Sequence, residues 1–86
     1  MASYKVRIKK SAEKELRAVP LPYLQKLVQK IKSLSENPRP HGCEAMKGGD
    51  PYIRIRQNDY RALYEVDDAK QEVIIIKIGH RREVYD

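Results

Sequence analysis

At 86 residues the chain has room for one small domain, assigned to residues 1–86, with a modest core. Apolar residues make up 41% of it, too many for a disordered chain, and eighteen Lys and Arg against twelve Asp and Glu leave a net charge of +6. That excess favours an anionic partner, nucleic acid first and an acidic protein second.

Cys43 is the only cysteine, so no intrachain disulfide forms, and a reducing cytoplasm fits best. His41-Gly42-Cys43 offers two potential metal ligands and no second cluster, which reads as a plain loop, so neither metal nor cofactor is expected. Met1 to Arg7 lack the apolar core of a signal peptide, and no apolar run approaches a membrane span. A soluble, non-exported protein without a membrane partner is the expectation.

Tyr4-Lys5-Val6-Arg7-Ile8-Lys9 alternates strictly, with Tyr4, Val6 and Ile8 inward, which predicts a half-buried strand. Ser11 is the expected N-cap of a short helix, with Glu13 and Glu15 in the first turn where the helix dipole favours acids. Ala12, Leu16 and Val19 give this helix a narrow apolar stripe, and Pro20 ends it. Pro22 suits the first turn of a second helix, because no backbone donor is needed there. Leu24, Leu27, Val28, Ile31 and Leu34 form the clearest helical stripe in the chain, while Gln25, Lys26, Gln29, Lys30 and Lys32 make a solvated face. The residue before Pro38 avoids the helical region, so this helix stops at Glu36-Asn37. Pro38, Pro40, Pro51, Gly42, Gly48 and Gly49 mark residues 37–51 as a loop closed by the turn Gly48-Gly49-Asp50-Pro51.

Tyr52 to Val66 reads as two strands joined at Gln57-Asn58-Asp59. Period two puts Tyr52, Arg54 and Arg56 on one face of the first strand and Ile53 and Ile55 on the other. In the second strand, Ala62, Leu63, Tyr64 and Val66 leave Arg61 as the one cation. Such a hairpin is a rigid basic floor for a polyanion, or else an ordinary half-buried hairpin with a solvated outer face. After the polar turn Asp67 to Gln71, Glu72 to Ile78 forms an unbroken apolar strand, expected at the centre of the sheet and covered on both faces. Gly79 breaks it before His80-Arg81-Arg82-Glu83-Val84-Tyr85. The predicted fold is α+β, an antiparallel sheet with two N-terminal helices packed on one face, in the order β-α-α-β-β-β. Its inner face is expected to hold Val6, Ile8, Ile74, Ile76 and Ile78 with Leu24, Leu27, Ile31 and Leu34.

The helix-free face is expected to gather Arg54, Arg56 and Arg61 with His80, Arg81, Arg82 and Tyr85. These groups suit RNA cleavage in which a 2′-hydroxyl attacks the adjacent phosphorus. Arginine stabilises the phosphorane but stays protonated, so it does not accept the proton. His80 is the natural acid or base, and Tyr85 donates a hydrogen bond or stacks on a base. No paired carboxylates, Ser/His/Asp set or phosphate-binding glycine loop competes for an enzymatic reading.

Tyr52-Ile53-Arg54-Ile55-Arg56, Asp59-Tyr60-Arg61-Ala62-Leu63-Tyr64-Glu65-Val66 and Ile78-Gly79-His80-Arg81-Arg82-Glu83-Val84-Tyr85 together resemble the RelE/ParE toxin superfamily, on its RelE side. The likeness runs from Tyr4 to Tyr85. It implies a type II toxin that enters the ribosomal A site, cuts mRNA there without a metal, and is neutralised by a cognate antitoxin in a hetero-oligomer. By position, Arg61 and Arg81 match the family's phosphate-gripping and transition-state arginines, and Tyr85 its C-terminal catalytic tyrosine. Arg54 and Tyr52 stand where the best-known form uses lysines, which leaves His80 as the leading general base beside them. Arg54, Arg56, Arg82 and Tyr52 then hold the RNA. The alternatives are a ParE-like gyrase inhibitor and a non-catalytic basic RNA-binding module.

Overall fold

The computed structural model describes residues 3–45 and 51–80. In chain order these form β1 (Lys5–Ile8), α1 (Lys10–Arg17), α2 (Leu21–Ser33), β2 (Glu44–Ala45), β3 (Tyr52–Gln57), β4 (Tyr60–Asp67) and β5 (Glu72–His80). The strands make one five-stranded sheet in the order β1-β5-β4-β3-β2. The predicted meander of β3, β4 and β5 is antiparallel, and the apolar sides of both helices join a single core on one face of it. Two features go beyond the expected sheet. β1 lies parallel to β5, with Val6 opposite Val73 and Ile8 opposite Ile75, so the sheet is mixed. Glu44 and Ala45, inside the segment read as loop, add a short edge strand to β3. Two residues are too few to show an alternation. Of the closing turn of that loop, residues 46–50 lie outside the described residues. No helix among the described residues is long and apolar enough to cross a membrane.

The helices begin where the chain turns off the strands. Lys9, extended at φ −62° and ψ 149°, is the N-cap of α1, in place of the expected Ser11. Its N–H donates to the Ile75 carbonyl at 3.0 Å and its carbonyl accepts the Glu13 N–H at 2.8 Å, so strand leads into helix with only Lys9 between. Ser11 therefore falls inside the first turn. α2 has Pro22 in its first turn, as predicted.

Leu27, Ile31, Leu34 and Ile78 are buried as expected, and Val6, Ile8 and Leu24 pack partly buried against them. Ile74 and Ile76 are the correction, because both lie half-buried outside the core while Val73 and Ile75 are fully buried. A bulge explains this. Tyr64 pairs with Ile75 and Leu63 with Lys77, so Ile76 is an extra residue on β5. Before it the odd-numbered Val73 and Ile75 face the helices; after it the even-numbered Ile78 does. β5 lies inside the sheet, between β1 and β4, but it is not covered on both faces as expected, because the helices pack against one face only.

Beyond Ile75, β1 no longer lines β5, and α1 takes over that edge. The Glu15 carboxylate accepts the Ile78 backbone N–H at 2.9 Å and the Lys77 ammonium at 3.2 Å. Glu15 thus occupies a donor that a neighbouring strand would have used, which protects an edge from pairing with other chains. Tyr64, fully buried, sends its hydroxyl to the Pro38 carbonyl at 2.7 Å and fastens the segment after α2 to the sheet. Its burial pushes the phenol pKa up, so it stays a donor.

At the opposite end Arg39 grips Asp68 through two nitrogens, at 3.2 and 3.0 Å, and the Tyr4 hydroxyl donates to the same carboxylate at 2.7 Å. The Arg39 hydrogen bond first, and then that of Tyr4, hold the Asp68 carboxyl below its ordinary range. A depressed folded-state pKa contributes stability above the unfolded value, ~3.9 for aspartate, and loses it as pH falls through the folded value. The stability difference between wild type and Arg39→Gln should therefore be present at neutral pH and close in acid, read from thermal melts across that range. In the core, Leu27→Ala should cost ~2–5 kcal/mol. Leu21→Ala, at a side chain 70% exposed, should stay within ~0.5 kcal/mol, both read from denaturant midpoints.

Candidate functional site

The face of the sheet away from the helices is built row by row from the strand register, because residues directly opposite on neighbouring strands share a face. One row is Arg56, Arg61 and Gly79. The next runs from Glu44 through Arg54 and Leu63 to Lys77. A third holds Tyr52, Glu65 and Ile74. The helix-side partners of these rows, Ile53, Ile55, Ala62 and Tyr64, are all buried, so the outer rows rest on a packed floor.

The arginines in these rows are not alike. The side chain of Arg54 is 9% exposed, and its Nη2 lies 3.1 Å from the Glu44 carboxylate on the strand beside it. Of the three arginines expected on this floor, Arg54 is buried and clamped into the sheet by Glu44 of β2, so it is not part of an open basic surface. Breaking such a pair from one side leaves a charge poorly solvated, which is why both partners matter. Arg61 is half-buried and reaches the Asn58 carbonyl with Nη1 at 3.4 Å. Arg56 is exposed.

Arg56 and Arg61 face each other directly. The Arg56 carbonyl is turned away from β4, where it accepts the Lys30 ammonium at 2.5 Å. The pair is therefore one without mutual backbone hydrogen bonds, in which Cα atoms stand ~4.5 Å apart and side chains come closest. Like charges directly opposite on neighbouring strands are unfavourable in themselves, so such a spacing suits a shared anion. Gly79 completes the row without a side chain. The hairpin tip that sets this spacing is Asn58-Asp59, with Asn58 at φ 58°, a conformation asparagine tolerates.

His80 lies on the other side. Its cross-strand partner is Tyr60, and their rings meet edge-on at 5.6 Å. Tyr60 in turn packs against Tyr23 of α2, with ring centroids 5.7 Å apart. The His80 Nε2 stands 4.0 Å from the Asp59 carboxylate. Tyr23, Asn58, Asp59, Tyr60 and His80 line a cavity of about 350 Å³. The expected gathering of His80 with the arginines is therefore corrected, and the cause is Ile76: the extra residue turns Ile78 and His80 toward the helices and leaves Gly79 in the arginine row. Arg81, Arg82 and Tyr85, the remaining predicted site residues, lie outside the described residues.

Sequence reasoning did not find Glu44, because its partner is ten positions away and the link exists only once β2 has paired. It also did not find the Tyr23–Tyr60–His80 ring series. Tyr60 stands within one of the recognised segments, and Tyr23, four residues before Leu27, borders the helical stripe without being counted in it.

Comparison with known proteins gives this arrangement a family. Residues 6–85 match the family described as the ParE toxin of type II toxin-antitoxin system, parDE. Toxin RelG of Mycobacterium tuberculosis is 29% identical over 83 residues, 95% of each chain. Putative toxin RelE1 of Methanocaldococcus jannaschii is 32% identical over 85 residues, 95% of this chain and 94% of that one. The toxin-antitoxin complex RelBE2 from Mycobacterium tuberculosis contains a chain with a TM-score of 0.80 at 27% identity, matched over 92% of this chain and 99% of its own. With the family match over nearly its whole length and relatives of equal size, the chain belongs to the RelE/ParE superfamily of type II toxin–antitoxin toxins.

Proposed function

We propose that the chain is a RelE-type endoribonuclease that cuts mRNA in the ribosomal A site. The observation that carries this reading is the Arg56–Arg61 pair, two arginines directly opposite on a rigid strand pair, a spacing at which both can grip one RNA phosphate. The likeness to RelG and RelE1 points the same way. In the reaction, the 2′-hydroxyl of one nucleotide gives up its proton and its oxygen attacks the adjacent phosphorus. A 2′,3′-cyclic phosphate forms, and the 5′-oxygen of the next nucleotide leaves with a proton. Arg61 and Arg81 stabilise the negative charge that builds on the phosphorane, a use of preorganised cations that needs no proton transfer by them. Arg56, Arg82 and Tyr52 hold the strand, beside the sheet edge that the buried Arg54–Glu44 pair braces.

The proton work falls to Tyr85 in this reading. His80 faces Tyr60 on the helix side and supports the hairpin tip there, which argues against its acting directly at the arginine row. The RelBE2 assembly is a toxin-antitoxin complex, and by that likeness the chain's protein partner is a cognate antitoxin in a hetero-oligomer. Its substrate places it in the cytoplasm. The description of the matched family as ParE favours one second reading, a gyrase inhibitor built on the same fold.

Incubation with ribosomes and mRNA, followed by mapping of the new 5′ ends, separates the two. Cuts within codons are expected, and gyrase inhibition without cuts would replace this reading by the second. Arg61→Ala and Arg81→Ala should each slow cleavage ~10²–10³-fold at every pH, because the lost charge does not titrate in the working range. His80→Gln should keep the shape of the wild-type pH profile, whereas loss of a general acid or base at Tyr85 should cost ~10²–10⁴.

A further inference from the structure

A second cationic site lies around the open edge of β3. β2 covers that edge only at Ile53 and Arg54, so the backbone from Ile55 onward faces the last turns of α2. Lys30, Ser33, Pro40, His41, Gly42, Cys43, Ile55 and Arg56 line a groove there of about 250 Å³. Three of these residues are basic and none is acidic. Lys30 is held in place, its ammonium donating to the Arg56 carbonyl, and with three protons it keeps two for another acceptor. A tethered ammonium loses little further freedom on binding, so its next hydrogen bond comes with less entropic cost. His41 is exposed on the facing loop.

Arg56 joins this groove to the outer rows. Among the described residues, Arg7, Arg17, Arg39 and Arg54 each pair with a carboxylate, and Arg61 with the Asn58 carbonyl. Arg56 is the one described arginine whose guanidinium has no such partner, and it stands where the outer face meets the groove. The one carboxylate on the adjoining edge strand, Glu44, is engaged by Arg54. Among the described residues, no carboxylate lines the groove to accept its charge.

We propose that this groove is a second phosphate subsite, which takes the backbone of an RNA strand leading round the edge of β3 from the Arg56–Arg61 row. The proposal rests on the reading of the chain as an RNA-cutting toxin and names where the strand goes beyond the reacting phosphate. Lys30 supplies charge and His41 a ring nitrogen for hydrogen bonding on the groove side, Arg56 is shared between the two sites, and Ile55 and Pro40 give apolar walls for the sugar.

The test titrates the isotopically labelled full chain with inorganic phosphate and with a short single-stranded oligoribonucleotide, following backbone amides by NMR. Saturable shifts at His41, Gly42, Cys43 and Arg56 are expected with both probes, and these should be lost in Lys30→Gln/His41→Gln. Neutralising one phosphate on a single strand contributes about 0.7 to the slope of log affinity against log salt, so the double variant should flatten that slope by roughly this amount. His41→Gln alone, at an exposed side chain, serves as the variant that leaves the fold intact, and it should weaken the same shifts. Phosphate or oligonucleotide shifts confined to β4 and the outer rows would overturn the proposal, as would an unchanged salt slope in the double variant. If that slope is unchanged while wild type still cuts ribosomal mRNA, the subsite falls and the enzyme reading stands. If wild type neither binds RNA nor cuts, the enzyme reading falls and the subsite with it.

Discussion

One extra residue on β5 decides which chemistry faces which way. With Ile76 bulged out between the Tyr64–Ile75 and Leu63–Lys77 pairs, the sheet keeps both ends of β5 in contact with the helices, first through Val73 and Ile75 and then through Ile78. A β-strand has period two, so a single insertion exchanges the faces of everything after it. Gly79 enters the arginine row and His80 enters the ring series with Tyr60 and Tyr23. The insertion also leaves the Ile78 N–H on an uncovered edge, and Glu15 of α1 accepts it. Helix, bulge and site are thus one arrangement: the same carboxylate that steadies α1 against the sheet protects the edge the bulge displaces.

The positive charge is organised in two ways. Arg7, Arg17, Arg39 and Arg54 are tied to carboxylates and serve the fold. The exposed pairs contribute little each, since surface ion pairs are worth ~0–1 kcal/mol. Arg54–Glu44 differs because Arg54 is buried and its partner sits on the adjoining strand. Arg56 and Arg61 stand directly opposite each other on neighbouring strands. In the proposed reading, these two arginines on a rigid hairpin receive the RNA phosphate. This is the preorganisation that makes electrostatic stabilisation effective, because the cations need not move when charge develops.

Much of this is legible in the residues. The α2 stripe announces itself through five apolar side chains at helical spacing, and the alternation of Tyr4 to Lys9 and of Tyr52 to Arg56 gives strands of correct facing. The family motifs in β4 and β5 carry the toxin assignment. What local pattern does not carry is pairing. In Val73-Ile74-Ile75-Ile76-Lys77-Ile78 any isoleucine can be the extra one, since all are apolar and β-branched, and only the partner strand selects it. The same holds for Glu44, polar in a Pro- and Gly-rich segment, whose meaning arises from lying opposite Arg54. The parallel placement of β1 beside β5 is likewise a property of the assembled sheet.

The separation of His80 from the arginine row is the claim on which the account of the site turns, and it can be read from the backbone alone. Pairs without mutual hydrogen bonds bring Hα atoms of opposite strands close together, so they give strong nuclear Overhauser effects across an antiparallel sheet. With Ile76 bulged, such effects should join Ala62 to Ile78 and Tyr60 to His80. A ladder without the bulge would instead join Ala62 to Lys77 and Tyr60 to Gly79, turn His80 to the outer face, and contradict the arrangement described.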